Sequence, residues 1–197
     1  MHIEVEIELR AQYLRFRELV GKWPAFVNGQ HHLHLFSPVP GILAQLLGRQ
    51  NPLPYVRRVW EPWWVLLRVP GARMKRFFLS TIGRRARRQY DRGGFPGNDS
   101  LAGVADPICV TDTRYFSRWL ACVPGRVVEL ACHPGYWDTT LIGRDCTEHD
   151  GGMQRRVDEM HLLSQPSFLA ACLQAGFRLA PPSRLLTSGS GPVDWAA

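Results

Sequence analysis

Apolar residues recur at helical spacing over residues 3–20, where Leu9, Tyr13, Phe16 and Val20 mark one side of a helix. Gly21 and Pro24 follow as stop signals. The pattern then changes. Residues 26–36 predict a strand, in which successive side chains alternate between faces. That puts Asn28, Gln30, His32 and His34 on one face, and Val27, His31, Leu33 and Leu35 on the other. Ser37-Pro38-Val39-Pro40-Gly41 stops the strand. Residues 39–49 predict a short helix and 55–59 a second strand. The segment 62–70 holds Trp63, Trp64, Leu66 and Leu67 and receives no assignment. A long basic helix is predicted over 71–92, with Phe77 or Phe78 and Ile82 packing inward and the arginines facing solvent. Residues 91–97 read as a loop. A helix over 112–122, capped by Thr111 or Asp112, leads into a buried strand over 126–132. Helices over 150–163 and 166–175 follow, with Gly176 closing the second, and then a short last strand at 177–180. The tail from Thr187 is expected to be disordered. Strands alternating with helices predict a parallel α/β architecture.

Composition adds bounds. The chain has 197 residues, 45% of them hydrophobic, enough for one sizeable core and one domain. No apolar run reaches membrane-spanning length, and the acidic N-terminus lacks the apolar core of a signal peptide. A cytoplasmic protein is the expectation. Five cysteines, at 109, 122, 132, 146 and 172, are scattered without a Cys-x-x-Cys pair, so reduced, packed thiols are expected. The charge is basic: 24 Lys and Arg against 17 Asp and Glu, a formal +7. The excess concentrates in 73–92. A basic patch alone is only an electrostatic footprint for nucleic acid or an anionic surface, and no nucleic-acid motif accompanies it.

The chemistry-bearing residues gather in two places. Three histidines in four positions, 31, 32 and 34, sit where a strand should end. Such a group suits a divalent cation or a proton transfer, and a solvated loop is the plainer alternative. The second place is His133, at the end of the 126–132 strand, where Pro134 biases its backbone toward the extended region. A histidine capping a strand end by hydrogen bonding is the alternative there. Each motif is followed by Pro or Gly. Both strands are therefore expected to lie parallel in one sheet, with His32 or His34 and His133 facing one mouth.

The words around these histidines resemble the YdjC family of carbohydrate deacetylases, including its ChbG-like and hopanoid-associated HpnK-like members. The resemblance is carried by Asn28-Gly29-Gln30-His31-His32-Leu33-His34 and by Glu129-Leu130-Ala131-Cys132-His133-Pro134-Gly135. Weaker words are the helix with Glu8-Leu9-Arg10, the run Gly97-Asn98-Asp99-Ser100-Leu101, and the helix with Arg155-Arg156-Val157-Asp158-Glu159. The resemblance implies an incomplete (β/α) barrel, with residues 1–186 forming the C-terminal part of the family domain and 187–197 a tail. It implies hydrolysis of N-acetyl groups on amino sugars, with a divalent metal, magnesium or zinc, polarising the amide carbonyl and activating water. Residue by residue, His133 is the implied proton donor. His32, His34, Arg57 and Asp99 are candidates for substrate binding. Gln30 stands where the family has a histidine metal ligand. Arg57 as a surface ion pair and Asp99 as an Asx turn are the plainer alternatives.

The departures from the family pattern also carry expectations. The family's Asp-Asp-Phe-Gly word has no counterpart here, and neither does its second metal-binding histidine. A neutral amide at Gln30 is a poorer ligand than imidazole or carboxylate. Weak metal occupancy and impaired turnover are therefore expected of these 197 residues. Three readings compete: a deacetylase whose sequence here begins downstream of its true start, a shortened relative that keeps carbohydrate binding or a scaffold role, and an unrelated basic module for nucleic acid or anionic surfaces. Homo-oligomer formation is left open.

Overall fold

The computed structural model describes residues 2–144, 147 and 151–181. The fold is mixed α/β and rich in helix. It divides into two compact units, one built on Met1–Trp60 and Thr81–Asp99, the other on Glu61–Ser80 and Ser100–Leu179.

The first unit opens with helix α1 (His2–Val20), where the spacing predicted it. Strand β1 (Phe26–Val27) pairs in parallel with β2 (Tyr55–Val56). The backbone bonds from Tyr55 N–H to Ala25 O and from Arg57 N–H to Val27 O continue this ladder. Helix α2 (Val39–Leu47) lies between them in sequence and buries Pro40, Leu43 and Leu47. The histidine run is not a strand. Residues Gln30–Leu35 form a 3-10 helix with a kink, in which His31 and His32 take left-handed φ values of 50° and 62°. The predicted alternation of faces fails with it: Leu33 is 59% exposed and His34 only 1%. The chain coils here because the buried side chain is the polar one. His34 needs backbone partners on both sides of its ring, and an extended run could not supply them.

Helix α4 (Arg73–Arg92) forms as predicted, with Arg73, Arg84, Arg85, Arg88 and Arg92 exposed and Ile82 half-buried, but the expected inward phenylalanine is replaced by Arg76. Phe77 and Phe78 are exposed, while Arg76, Leu79, Ser80, Ala86 and Tyr90 are buried. The helix turns this narrow side inward because close approach is needed: a Cβ at Gly83 would fall 1.7 Å from the Val59 carbonyl oxygen. In its C-terminal half, Tyr90 donates to the His34 carbonyl at 2.8 Å, and Arg84 and Arg87 lie over the Trp60 ring. Beside it, buried Arg58 donates to Asp91 and to the carbonyls of Val56 and Phe95. Asn98 clamps the same residue, accepting from the Arg58 N–H and donating to its carbonyl.

In the second unit, the unassigned 62–70 segment contains helix α3 (Trp63–Arg68), started by Pro62. Strand β3 (Ser100–Ala102) was not predicted. It pairs in parallel with β4 (Val128–Leu130), the centre of the expected 126–132 strand. Helix α5 (Tyr115–Leu120) is shorter than predicted, with Pro107–Thr111 forming a separate 3-10 helix before it. Asp112 accepts from Arg114 N–H in an Asx turn at the approach to α5. Helices α6 (Gly152–Ser164) and α7 (Pro166–Gln174) appear as predicted, and Gly176 turns the chain at φ 79°. Residues 177–180 join no ladder. The core of this unit gathers Val65, Val69, Val110, Tyr115, Phe116 and Trp119. At its centre Arg76 pairs with Glu61 through two bonds of 2.8 and 2.6 Å. Its guanidinium also reaches the carbonyls of Val65, Val69 and Gly71, and lies 4.4 Å from the Trp119 ring centroid.

The two histidine motifs thus stand at different sheets, β1–β2 and β3–β4, not in the single sheet expected. Among the described residues the cysteines are free thiols; Cys146 and the tail from 187 lie outside them. No described helix is long and apolar enough to cross a membrane.

Both partners of the Arg76–Glu61 pair are buried, and removing one strands the other. Glu61→Gln should lower stability by about 3–5 kcal/mol. The double change Glu61→Leu with Arg76→Met removes the stranded charge but orphans the Val65, Val69 and Gly71 carbonyls, so it should recover only part of that loss. Urea denaturation followed by tryptophan fluorescence measures both.

Candidate functional site

The first group of candidate residues lies at the C-terminal side of β1 and β2. His34 is held on both ring nitrogens: Gly29 N–H donates to Nδ1 at 3.0 Å, and Nε2 lies 3.1 Å from the Arg57 carbonyl oxygen. An amide N–H can only donate and a carbonyl can only accept, so the ring is neutral with its proton on Nε2. Burial lowers its pKa to about 4, and the neighbouring His32 pushes in the same direction. Gly29 is required here, because a Cβ at that position would meet the His34 backbone nitrogen at 2.7 Å.

His32 is half-buried, with its ring centroid 6.3 Å from that of His34 and the planes at 65°. Gln30 and His31 are exposed. Arg57 is half-buried; its carbonyl fixes His34, and its guanidinium lies 5.9 Å from the Phe26 ring centroid. Asp99 follows the Asn98 clamp, and its carbonyl accepts from Arg87 at 3.2 Å. His34 therefore shapes the turn from inside rather than presenting a ring to a substrate.

This group does not fit a divalent ion. Both His34 nitrogens are engaged by backbone, so neither offers a lone pair. Gln30 contributes at best a neutral oxygen. Among the described residues no three His, Cys, Asp or Glu side chains gather closely enough to hold a metal.

The second group lies in the other unit, past the end of β4. His133 is exposed. Its backbone N–H donates to Oε2 of Glu159 on α6, and Gly135 N–H donates to the Arg156 carbonyl at 3.0 Å. Glu159 is fully buried and paired with Arg155 at 2.7 Å, while Arg155 also donates to the Ala105 carbonyl beyond β3. Tyr115 donates to the Gly103 carbonyl at 2.8 Å, and burial raises its pKa. Gly103 itself, at φ 91°, sits where a Cβ would lie 2.2 Å from the Ala131 carbonyl oxygen. Sequence reasoning noted the 155–159 word without its role. The signal was the Arg155/Glu159 spacing of four, which puts both side chains on one face of a helix.

The sequence matches the profile of the family described as YdjC-like protein over residues 1–174. The chain belongs to that family. It is 31% identical to a mouse carbohydrate deacetylase over 198 residues, covering 89% of this chain and 60% of the relative. It is 23% identical to a chitooligosaccharide deacetylase of Yersinia pestis (strain Pestoides F), covering 89% and 58%. A solved structure from Enterococcus faecalis V583, described as a candidate cellobiose-phosphate cleavage protein, superposes with a TM-score of 0.64 at 21% identity. The match takes in 92% of this chain and 60% of that one. This YdjC-like chain spans about three fifths of the length of the curated relatives it matches.

The depressed pKa of His34 has a consequence for stability. The unfolded chain takes up a proton near pH 6.5, whereas the folded ring resists it until about 4. Stability is therefore complete above about pH 6.5 and is lost as pH falls toward 4, by about 3 kcal/mol in all. His34→Leu should flatten this slope, as measured by denaturant midpoints at about pH 7.5, 5.5 and 4.5.

Proposed function

We propose that this chain contributes to a hydrolase of the (β/α)-barrel type that removes N-acetyl groups from amino sugars. Family membership supports the chemistry, and the exposed His133 past the end of β4 is the observation that carries the assignment. In this reading a divalent ion supplies electrophilic activation when the complete site is present. The residues of the first unit do not compose such a site, and no step below runs through one.

The role of His133 follows from bond accounting. Water oxygen adds to the amide carbonyl carbon, the C–N bond breaks, and the departing amine must gain a proton. An exposed imidazole fixed at a strand end can give that proton and recover one from the attacking water. Arg57, His32 and Asp99 are the candidate contacts for sugar hydroxyls in the first unit.

A second reading keeps the sugar and drops the turnover. Tyr136 is 79% exposed and Trp137 62% exposed, three and four residues beyond His133. Exposed aromatic rings beside a polar strand end suit contact with the apolar faces of a carbohydrate, with or without catalysis.

The purified chain should bind Mg or Zn weakly and release little acetate from N-acetylated chito-oligosaccharides. A catalytic divalent site commonly needs about three protein ligands and an open position. The check is an acetate-release assay with each ion, run beside His133→Ala. Strong metal-dependent release that His133→Ala abolishes would overturn the expectation of weak turnover and uphold the role of His133. Saturable binding of the same oligosaccharides without release, lost in Trp137→Ala, would favour the second reading.

A further inference from the structure

The loop that carries His133 is strapped to α6 at two backbone points. His133 N–H is held by the Glu159 carboxylate, and Gly135 N–H by the Arg156 carbonyl. Pro134 between them has no N–H to give. Glu159 is a full negative charge with no exposure, so its retention needs a reason. Its cation is Arg155, one turn back on the same helix, and the second arm of Arg155 ends on the Ala105 carbonyl. One ion pair therefore ties the chain just beyond β3 to the chain just beyond β4. A charge-assisted bond to a backbone N–H is shorter and about twice as strong as a neutral one, which suits a contact that fixes position.

We propose that Glu159, oriented by Arg155, is the positioning residue for His133: it fixes the backbone from which the imidazole projects, and so sets the reach of the proton donor. This rests on the reading of His133 as that donor. Glu159 does not itself meet substrate. Its reach brings the acceptor oxygen to the His133 amide, and its charge strengthens that bond. The Arg155 pairing in turn keeps the carboxylate aimed.

Two variants separate reach from charge. Glu159→Asp keeps the charge and the Arg155 pairing but is one methylene too short to hold the His133 amide. Glu159→Gln keeps the reach and an acceptor oxygen but loses the charge. Amide hydrogen exchange of the labelled chain should show His133 losing about tenfold or more of its protection in Glu159→Asp, with β4 amides unchanged. Glu159→Gln, which still reaches the amide with one acceptor oxygen, should lose less of that protection than Glu159→Asp, and the imidazole resonances of His133 should shift most in the Asp variant. If Glu159→Gln fails to fold with Arg155 left unpaired, the Asp variant against the parent still decides the question. Where acetate release is measurable, kcat should fall by up to about 10²-fold in Glu159→Asp with KM nearly unchanged. Unaltered His133 protection in Glu159→Asp overturns the proposal, as does an equal loss across α6 and β4. Acetate release that His133→Ala leaves intact counts against the reading of His133 as donor alone, since the exchange measurement needs no turnover.

Discussion

Buried guanidinium groups that end on backbone carbonyls hold this chain together. Its strands are only two or three residues long, so their ladders satisfy few backbone groups, and the chain leaving each strand must find partners elsewhere. Buried Arg58 reaches the carbonyls of Val56 and Phe95 and buried Arg76 those of Val65, Val69 and Gly71, while half-buried Arg155 reaches that of Ala105. Each is charge-balanced by one carboxylate: Asp91, Glu61 and Glu159 respectively. Arginine suits this work because its planar fork serves several acceptors at once and stays charged when buried. A lysine at any of these positions could hold the charge but not the geometry.

That constraint explains which parts of the fold were legible in the sequence. Helices with simple periodicity, α1, α2, α6 and α7, appear within a few residues of their predicted bounds, and the centres of β2 and β4 fall inside predicted strands. Helix α4 was legible as a helix and misread as a face. Counting Phe77 or Phe78 as inward ignored that an arginine with a carboxylate and three carbonyls in reach can displace a phenylalanine from the core. The unpredicted strand β3 is three residues long, too short for a period to show. The histidine run was misread for a related reason: alternation assigns the polar side chains to the outside, whereas His34 is the buried one and Leu33 the exposed one.

The same logic governs the candidate site. The histidine density around 31–34 was legible, but its division of labour was not, because the bonds to Gly29 and Arg57 that turn His34 into a structural residue depend on a kink that no period announces. The family likeness was carried by local words and holds over most of the chain. The likeness could not show how the Cys132-His133-Pro134-Gly135 word is fixed. It is fixed from α6, by a carboxylate 26 residues later in sequence. The residue proposed to carry the chemistry and the residues that hold it thus belong to separate sequence words.

The claim that buried arginines secure the strand ends is tested most directly at Arg58, which no proposed chemical step uses. Backbone amide exchange should be measured residue by residue in Arg58→Lys and in the parent chain. The account predicts that the amides of Val56, Arg57 and Arg58 lose about tenfold or more of their protection, while those of Leu101, Ala102 and Ala131 keep theirs. Unchanged protection at 56–58, or an equal loss at every protected amide, would contradict it.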